Sequence, residues 1–128
     1  MRQVPYASAV GSLMYAMLCT RPDICYSVGM VNRYQSNSGP KHWQAIKHIL
    51  KYLQRTRDYM LVYWCEDLIP IGYIDSDFKL DLDFRKSTSG YVFTLGGGAL
   101  SWRSVKQSCM ADSIMEAEYF AACEVATA

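Results

Sequence analysis

Apolar residues in the first third of the chain recur at helical intervals. Between Ala7 and Leu18, Val10, Leu13, Met14 and Met17 fall on one side, which predicts a helix of small and apolar residues over 7–18. Thr20-Arg21-Pro22-Asp23 interrupts it. Pro22 suits a first helical turn and Asp23 suits the positive end of a helix dipole, so a second helix restarts here. It is expected to run to about Ser36, with Ile24, Val28 and Val31 facing inward. Asn37-Ser38-Gly39-Pro40 is a loop by composition. The third helix is expected from Lys41 to Gln54, with Trp43, Ile46, Leu50 and Leu53 as its apolar stripe and Ile49 beside it.

From Tyr59 the period shortens to that of strands. Tyr59–Trp64 is a strand candidate, residues 65–68 a turn, and Ile69–Asp75 a central strand with an apolar lead-in. Residues 77–86 mix acids with apolar side chains and read as a loop; the central Gly and closing Glu of an EF-hand are missing. Ser87–Leu95 and Ala99–Gln107 flank Gly96-Gly97-Gly98. A glycine run after a strand can cradle phosphate, but a strand follows here where that motif needs a helix, so the glycines read as a hairpin turn. Ser113-Ile114-Met115-Glu116 is a capping box that opens a last helix reaching nearly to the chain end. The pattern gives an α+β chain: a helical segment over 1–58, then a sheet with one packed helix over 59–128.

Charge follows the same division. The formal net charge is +1, but residues 1–58 hold eight Lys or Arg against two acids, and residues 59–128 hold five against ten acids. A basic half beside an acidic half suits a nucleic-acid-facing surface next to a metal site, and equally two solvated surfaces. The five cysteines, at 19, 25, 65, 109 and 123, include no Cys-x-x-Cys pair, which argues against zinc and for reduced thiols, mostly core filler. No apolar run approaches a membrane span, and Met1-Arg2-Gln3-Val4-Pro5 has no signal-peptide pattern.

Two acids stand out against apolar surroundings. Asp75 ends the central strand, where a buried carboxylate needs a partner or a metal. Glu118 shares a helix side with Ala121, Ala122 and Val125, whereas Glu116 is accounted for by capping. A surface glutamate at the edge of an apolar stripe is the competing explanation for Glu118. Lys47, Lys51 and Arg55 recur every four residues and could touch phosphates, although a solvated helix side has the same pattern. His42 and His48 are six apart, on different sides of the third helix, and so do not share a metal.

Taken together, these runs resemble the Pol polyprotein of copia-type LTR retrotransposons of plants, where reverse transcriptase passes into ribonuclease H. The runs are 5–15 from Pro5 to Tyr15, Cys19-Thr20-Arg21-Pro22-Asp23-Ile24, His42-Trp43-Gln44-Ala45, Gly72-Tyr73-Ile74-Asp75-Ser76-Asp77, 85–91 from Arg85 to Tyr91, Ser101-Trp102, and Glu116-Ala117-Glu118-Tyr119. They span nearly the whole chain. The resemblance implies that 1–58 ends a reverse transcriptase and that 59–128 opens a ribonuclease H-like domain. It implies a catalytic, metal-binding pair of Asp75 and Glu118, with Asp77 as an alternative third ligand, and Mg²⁺ or alternatively Mn²⁺ as cofactor. The implied partners are an RNA–DNA hybrid and the remainder of the Pol polyprotein, with no membrane. The implied location is the cytoplasm or a virus-like particle, with the nucleus as an alternative. The family's third and fourth catalytic acids come later than Ala128, so the chain alone is expected to be inactive. The rival expectation is a non-catalytic nucleic-acid-binding or interaction fragment that uses the basic helix.

Overall fold

A computed structural model describes residues 4–64, 69–77, 86–108, 110 and 112–126. The chain divides into two compact units, Met1–Leu61 and Val62–Ala128. The architecture is α+β, four α-helices and a three-stranded antiparallel sheet among the described residues.

The first unit holds α1 (Tyr6–Cys19), a 3-10 turn (Pro22–Ile24), α2 (Cys25–Asn32) and α3 (Pro40–Arg55). Val10, Leu13, Ile24, Val28, Val31, Ile46 and Ile49 are buried against one another and form its core. The Tyr6 hydroxyl, buried in that core, donates to the Val31 carbonyl at 2.7 Å and so ties the start of α1 to the end of α2. Pro40 is the first residue of α3, where a missing N–H costs nothing. The amide of Gly39 before it donates to His42 Nδ1 at 2.9 Å, and the His42 ring stacks on Tyr34 with centroids 4.0 Å apart. His42 is thus a satisfied structural histidine.

Two expectations change here. α2 stops at Asn32 rather than near Ser36, because i→i+3 turns (Tyr34 to Val31 and Gln35 to Asn32) replace the helical ladder. On α3 the buried positions are Ile46 and Ile49, while Leu50 is 45% exposed. Both isoleucines face the core of the unit, whereas Leu50 lies on the depression flanked by Lys47 and Lys51.

The second unit holds β1 (Ile71–Asp77), β2 (Thr88–Leu95), β3 (Gly98–Lys106) and α4 (Ile114–Ala126), with strand order β1-β2-β3. The β2–β3 hairpin turns on Gly96 and Gly97, whose φ values of 57° and 79° are those of a two-residue type I′ turn. Gly98 already pairs with Leu95, and a side chain there would collide with the Val62 carbonyl and the Tyr63 ring. That contact explains a third expectation that fails: residues 59–64 are not a strand. Instead the Trp64 amide donates to the Gly96 carbonyl at 2.9 Å and the Tyr63 hydroxyl to the Ala99 carbonyl at 2.6 Å, so this segment lies over the hairpin turn.

β1 is also not the buried strand its composition suggested. Among the described residues it is an edge strand, and Ile71, Tyr73 and Ile74 are 52%, 57% and 45% exposed. Of the three described cysteines, Cys25 is buried and Cys19 and Cys123 are exposed, so core filling accounts for Cys25 alone. No helix among the described residues is long and apolar enough to cross a membrane.

Candidate functional site

Asp75 sits near the end of β1, opposite Gly90 of β2. Alternation along the strand turns the Ser76 hydroxyl into the protein and leaves Asp75 exposed. Its Oδ1 accepts the Ser76 amide at 2.8 Å. Burial therefore does not account for this carboxylate, contrary to the expectation from its apolar lead-in. Asp77 closes β1 opposite Thr88, and its side chain lies outside the described residues.

α4 begins at the predicted cap, with the serine half of the capping box formed and the glutamate reaching one residue further back. The Glu116 amide donates to Ser113 Oγ at 3.2 Å, and Glu116 Oε2 accepts the Asp112 amide at 2.8 Å. That engagement fixes Glu116 at the helix start. The buried side of α4 is Ala117 and Ala121, at 0% and 1% exposure. At about 100° per residue, Glu118 stands on the shoulder of that side, about 60° from Ala121, and its side chain is exposed; Ala122 is exposed as well. Because α4 packs on β1 and β2, the helix carrying Glu118 and the strand carrying Asp75 are neighbours. Tyr119, next along, is pushed toward its neutral form by a hydrogen bond with the Cys123 thiol one turn on.

Carboxylate oxygens suit a hard cation such as Mg²⁺, which keeps most of its waters and needs only one or two of them. Of the two neighbours on β1, however, it is Ser76, paired with Ser89, that shares the face of the sheet met by Gln107 and α4, and Asp75 alternates to the other face. Among the described residues, no three His, Cys, Asp or Glu side chains gather into a metal-holding group.

Lys47, Lys51 and Arg55 lie on one exposed side of α3. Lys47 and Lys51 line a shallow depression of about 450 Å³ with Gln44, His48, Leu50 and Gln54. This basic side belongs to the first unit and the two acids to the second.

Sequence reasoning passed over one buried polar residue between the sheet and α4. Gln107, just past β3, is 1% exposed. Its Nε2 donates to Ser89 Oγ at 2.7 Å and to the Ala117 carbonyl at 2.8 Å, and its backbone amide donates to Ser87 at 2.8 Å. A glutamine at a strand end is ordinarily solvated, so no pattern marked this one as inward.

No family model matches the chain, and no solved structure matches it. It is 55% identical over 124 residues to the retrovirus-related Pol polyprotein from transposon TNT 1-94 of Nicotiana tabacum, covering 97% of this chain and 9% of that protein. It is 37% identical over 115 residues to the retrovirus-related Pol polyprotein from transposon RE2 of Arabidopsis thaliana, covering 89% of this chain and 8% of that protein. The chain thus spans under a tenth of the length of these two relatives. A secreted RxLR effector protein 161 of Plasmopara viticola is 47% identical over 125 residues, which cover 97% of this chain and 88% of that protein. No Arg-x-Leu-Arg run occurs in the present sequence, so the feature in that name is not among what the two chains share.

Proposed function

We propose that this chain, which belongs to one family with these proteins and has Pol polyproteins of copia-type transposons among its homologues, is the Pol segment in which reverse transcriptase passes into ribonuclease H. In this reading residues 1–58 end the polymerase and 59–128 open a domain that hydrolyses RNA in RNA–DNA hybrids. The observation that carries it is the pairing of elements in the second unit. An antiparallel β1-β2-β3 sheet, with α4 packed on β1 and β2, sets an acid-bearing strand beside an acid-bearing helix.

Asp75 and Glu118 then supply oxygen donors, with Asp77 as an alternative third. A divalent ion held by these carboxylates would supply the activation of water and the stabilisation of the leaving oxygen that such hydrolysis requires. The 2′-OH of the RNA strand distinguishes it from DNA. The edge position of β1 among the described residues supports the reading, since such an edge offers backbone to a further strand. Two carboxylates do not position two metals, and positioning carries much of the rate. The 128 residues alone are therefore expected not to cleave.

Two assays test this. The isolated chain, given a labelled RNA–DNA hybrid with Mg²⁺ or Mn²⁺, should leave it intact. Cleavage that disappears in Asp75→Asn would refute the inactivity. A tobacco Pol protein carrying this chain in place of its own matching segment should cleave the hybrid and lose cleavage with Asp75→Asn or Glu118→Gln. A chimera that stays active with either substitution would overturn the site.

A further inference from the structure

We propose that the start of α3 is a pH-sensitive joint, closed while His42 is neutral and released when its ring takes up a proton. Gly39, the cap of α3, has no side chain to accept the first amides of the helix. The bond at this cap runs the other way: the Gly39 amide donates to His42 Nδ1 at 2.9 Å. A ring nitrogen that accepts a hydrogen bond carries no hydrogen, so this is the neutral imidazole with its hydrogen on Nε2. The imidazolium has an N–H at both nitrogens, and its Nδ1–H would point at the Gly39 N–H. The bond therefore exists in one protonation state only.

The same ring closes the connection that precedes the helix. Residues 33–39 join α2 to α3, and 35–37 within them are exposed. The His42 ring lies flat on Tyr34 near the start of that connection, with planes 12° apart, while its edge takes Gly39 at the end. The Trp43 amide donates to the Gly39 carbonyl at 3.1 Å, so the helix ladder starts on the residue that His42 holds. Nothing near the ring favours the imidazolium. α1 and α2 carry no charged side chain. Tyr34 is the titratable group on the ring face, and the neighbouring charges along the chain, Arg33 and Lys41, are cations. The two acids of residues 1–58 lie elsewhere: Arg21 and Tyr52, in the last turn of α3, engage Asp23, and Asp58 follows that helix beside Arg57. A cation at a helix start also opposes the helix dipole. The buried core of the unit does not include His42, so the joint opens locally while the core stays packed. Its contribution is present above about pH 6.5, the ordinary imidazole range, and is lost as the pH falls below it.

The test is amide exchange and histidine-nitrogen NMR on the full 128-residue chain, at about pH 7.5 and about pH 5.5, either side of the ordinary imidazole range. At the higher pH the His42 nitrogens should report the neutral ring with its hydrogen on Nε2. After correction for intrinsic exchange, opening at the Gly39 and Trp43 amides should rise about fivefold at the lower pH, the factor that corresponds to losing a cap of about 1 kcal/mol. His42→Gln places at the same helix position a capping-box acceptor that does not titrate, and should show no such rise. His48→Gln changes the exposed histidine of the same helix and should behave like the native chain. No rise in the native chain, a rise that persists in His42→Gln, or a rise that His48→Gln abolishes would overturn the joint. If His42→Gln does not fold, the native ring decides. A hydrogen on Nδ1 at the higher pH overturns the proposal, and a Gly39 amide signal that moves in step with the titration of His42 supports it.

Discussion

One guanidinium staples the α1–α2 connection to the end of α3, and removing it tests how the first unit is held. Arg21 meets Asp23 through a fork, Nε to Oδ1 at 3.1 Å and Nη2 to Oδ2 at 2.8 Å. Its Nη1 donates to the Thr56 carbonyl at 2.9 Å, its Nη2 also reaches the Thr56 hydroxyl, and it lies 5.7 Å from the centre of the Tyr52 ring. Tyr52 in turn donates its hydroxyl to Asp23 at 2.7 Å. The Arg21 side chain is 12% exposed and that of Asp23 35%. Hydrogen bonds to charged groups contribute about 1.5–3 kcal/mol when sheltered. Exposed ion pairs contribute about 0–1 kcal/mol. The half-open Asp23 pair therefore counts for about 1 kcal/mol and the Thr56 bonds for about as much. Arg21→Ala leaves Asp23 with Tyr52 and solvent, so no charge is stranded.

The expected loss is about 2 kcal/mol, a large fraction of the roughly 3–9 kcal/mol that a unit of about 60 residues possesses. Arg21→Lys, which keeps the charge but not the fork, should recover less than half of it. Acid gives an internal control. Burial alone would raise the Asp23 pKa, but hydrogen bonds from Arg21 and Tyr52, with the charge of Arg21, outweigh it and hold the carboxyl below the usual range. A depressed folded value means the pair contributes fully above the unfolded pKa of about 3.9, and the contribution fades as pH falls through the folded value. Urea unfolding followed by circular dichroism should show the gap between native and Arg21→Ala narrowing from pH 7 to pH 3. A gap under about 0.5 kcal/mol at pH 7, the range of ordinary surface substitutions, refutes the staple. A gap unchanged by acid refutes the ion pair as its source.

Tyr6→Phe removes the buried hydroxyl's bond to the Val31 carbonyl, which keeps the Tyr34 amide, and should lower stability by about 1 kcal/mol in the same urea titration; no change would mean that the bond adds nothing to the unit. Gly98→Ala sets a methyl against the Val62 carbonyl and the Tyr63 ring, and should lift residues 62–64 off the hairpin. Amide exchange at Trp64 should then quicken by about tenfold, the equivalent of about 1.4 kcal/mol of easier opening, and an unchanged rate would show that the segment adjusts without leaving.

Periodicity by itself located the four helices and the three strands of the sheet. Val10, Leu13, Ile24, Val28, Val31 and Ile46 could be assigned inward because a helix repeats its inner side every three or four residues whatever covers it. The hairpin was equally legible, since two consecutive residues with positive φ demand glycine, and so was the start of α4, since a serine three residues before a glutamate satisfies amides locally. These signals act over a few residues, and so they survive in the linear sequence. Tertiary structure alone decided which apolar side chains find cover. Leu50 and Ile49 differ by one position on α3 and fall on opposite sides of the burial boundary. β1, apolar enough for a central strand, lies on the edge because strand order depends on which partners pair, and composition does not encode that. Residues 59–64 read as a strand, yet they give their hydrogen bonds to a turn more than 30 residues later. Gln107 is the sharpest case. A polar residue becomes an internal strut only when a sheet and a helix bring acceptors to both hydrogens of its amide, and those acceptors, Ser89 and Ala117, lie 18 and 10 residues away along the chain.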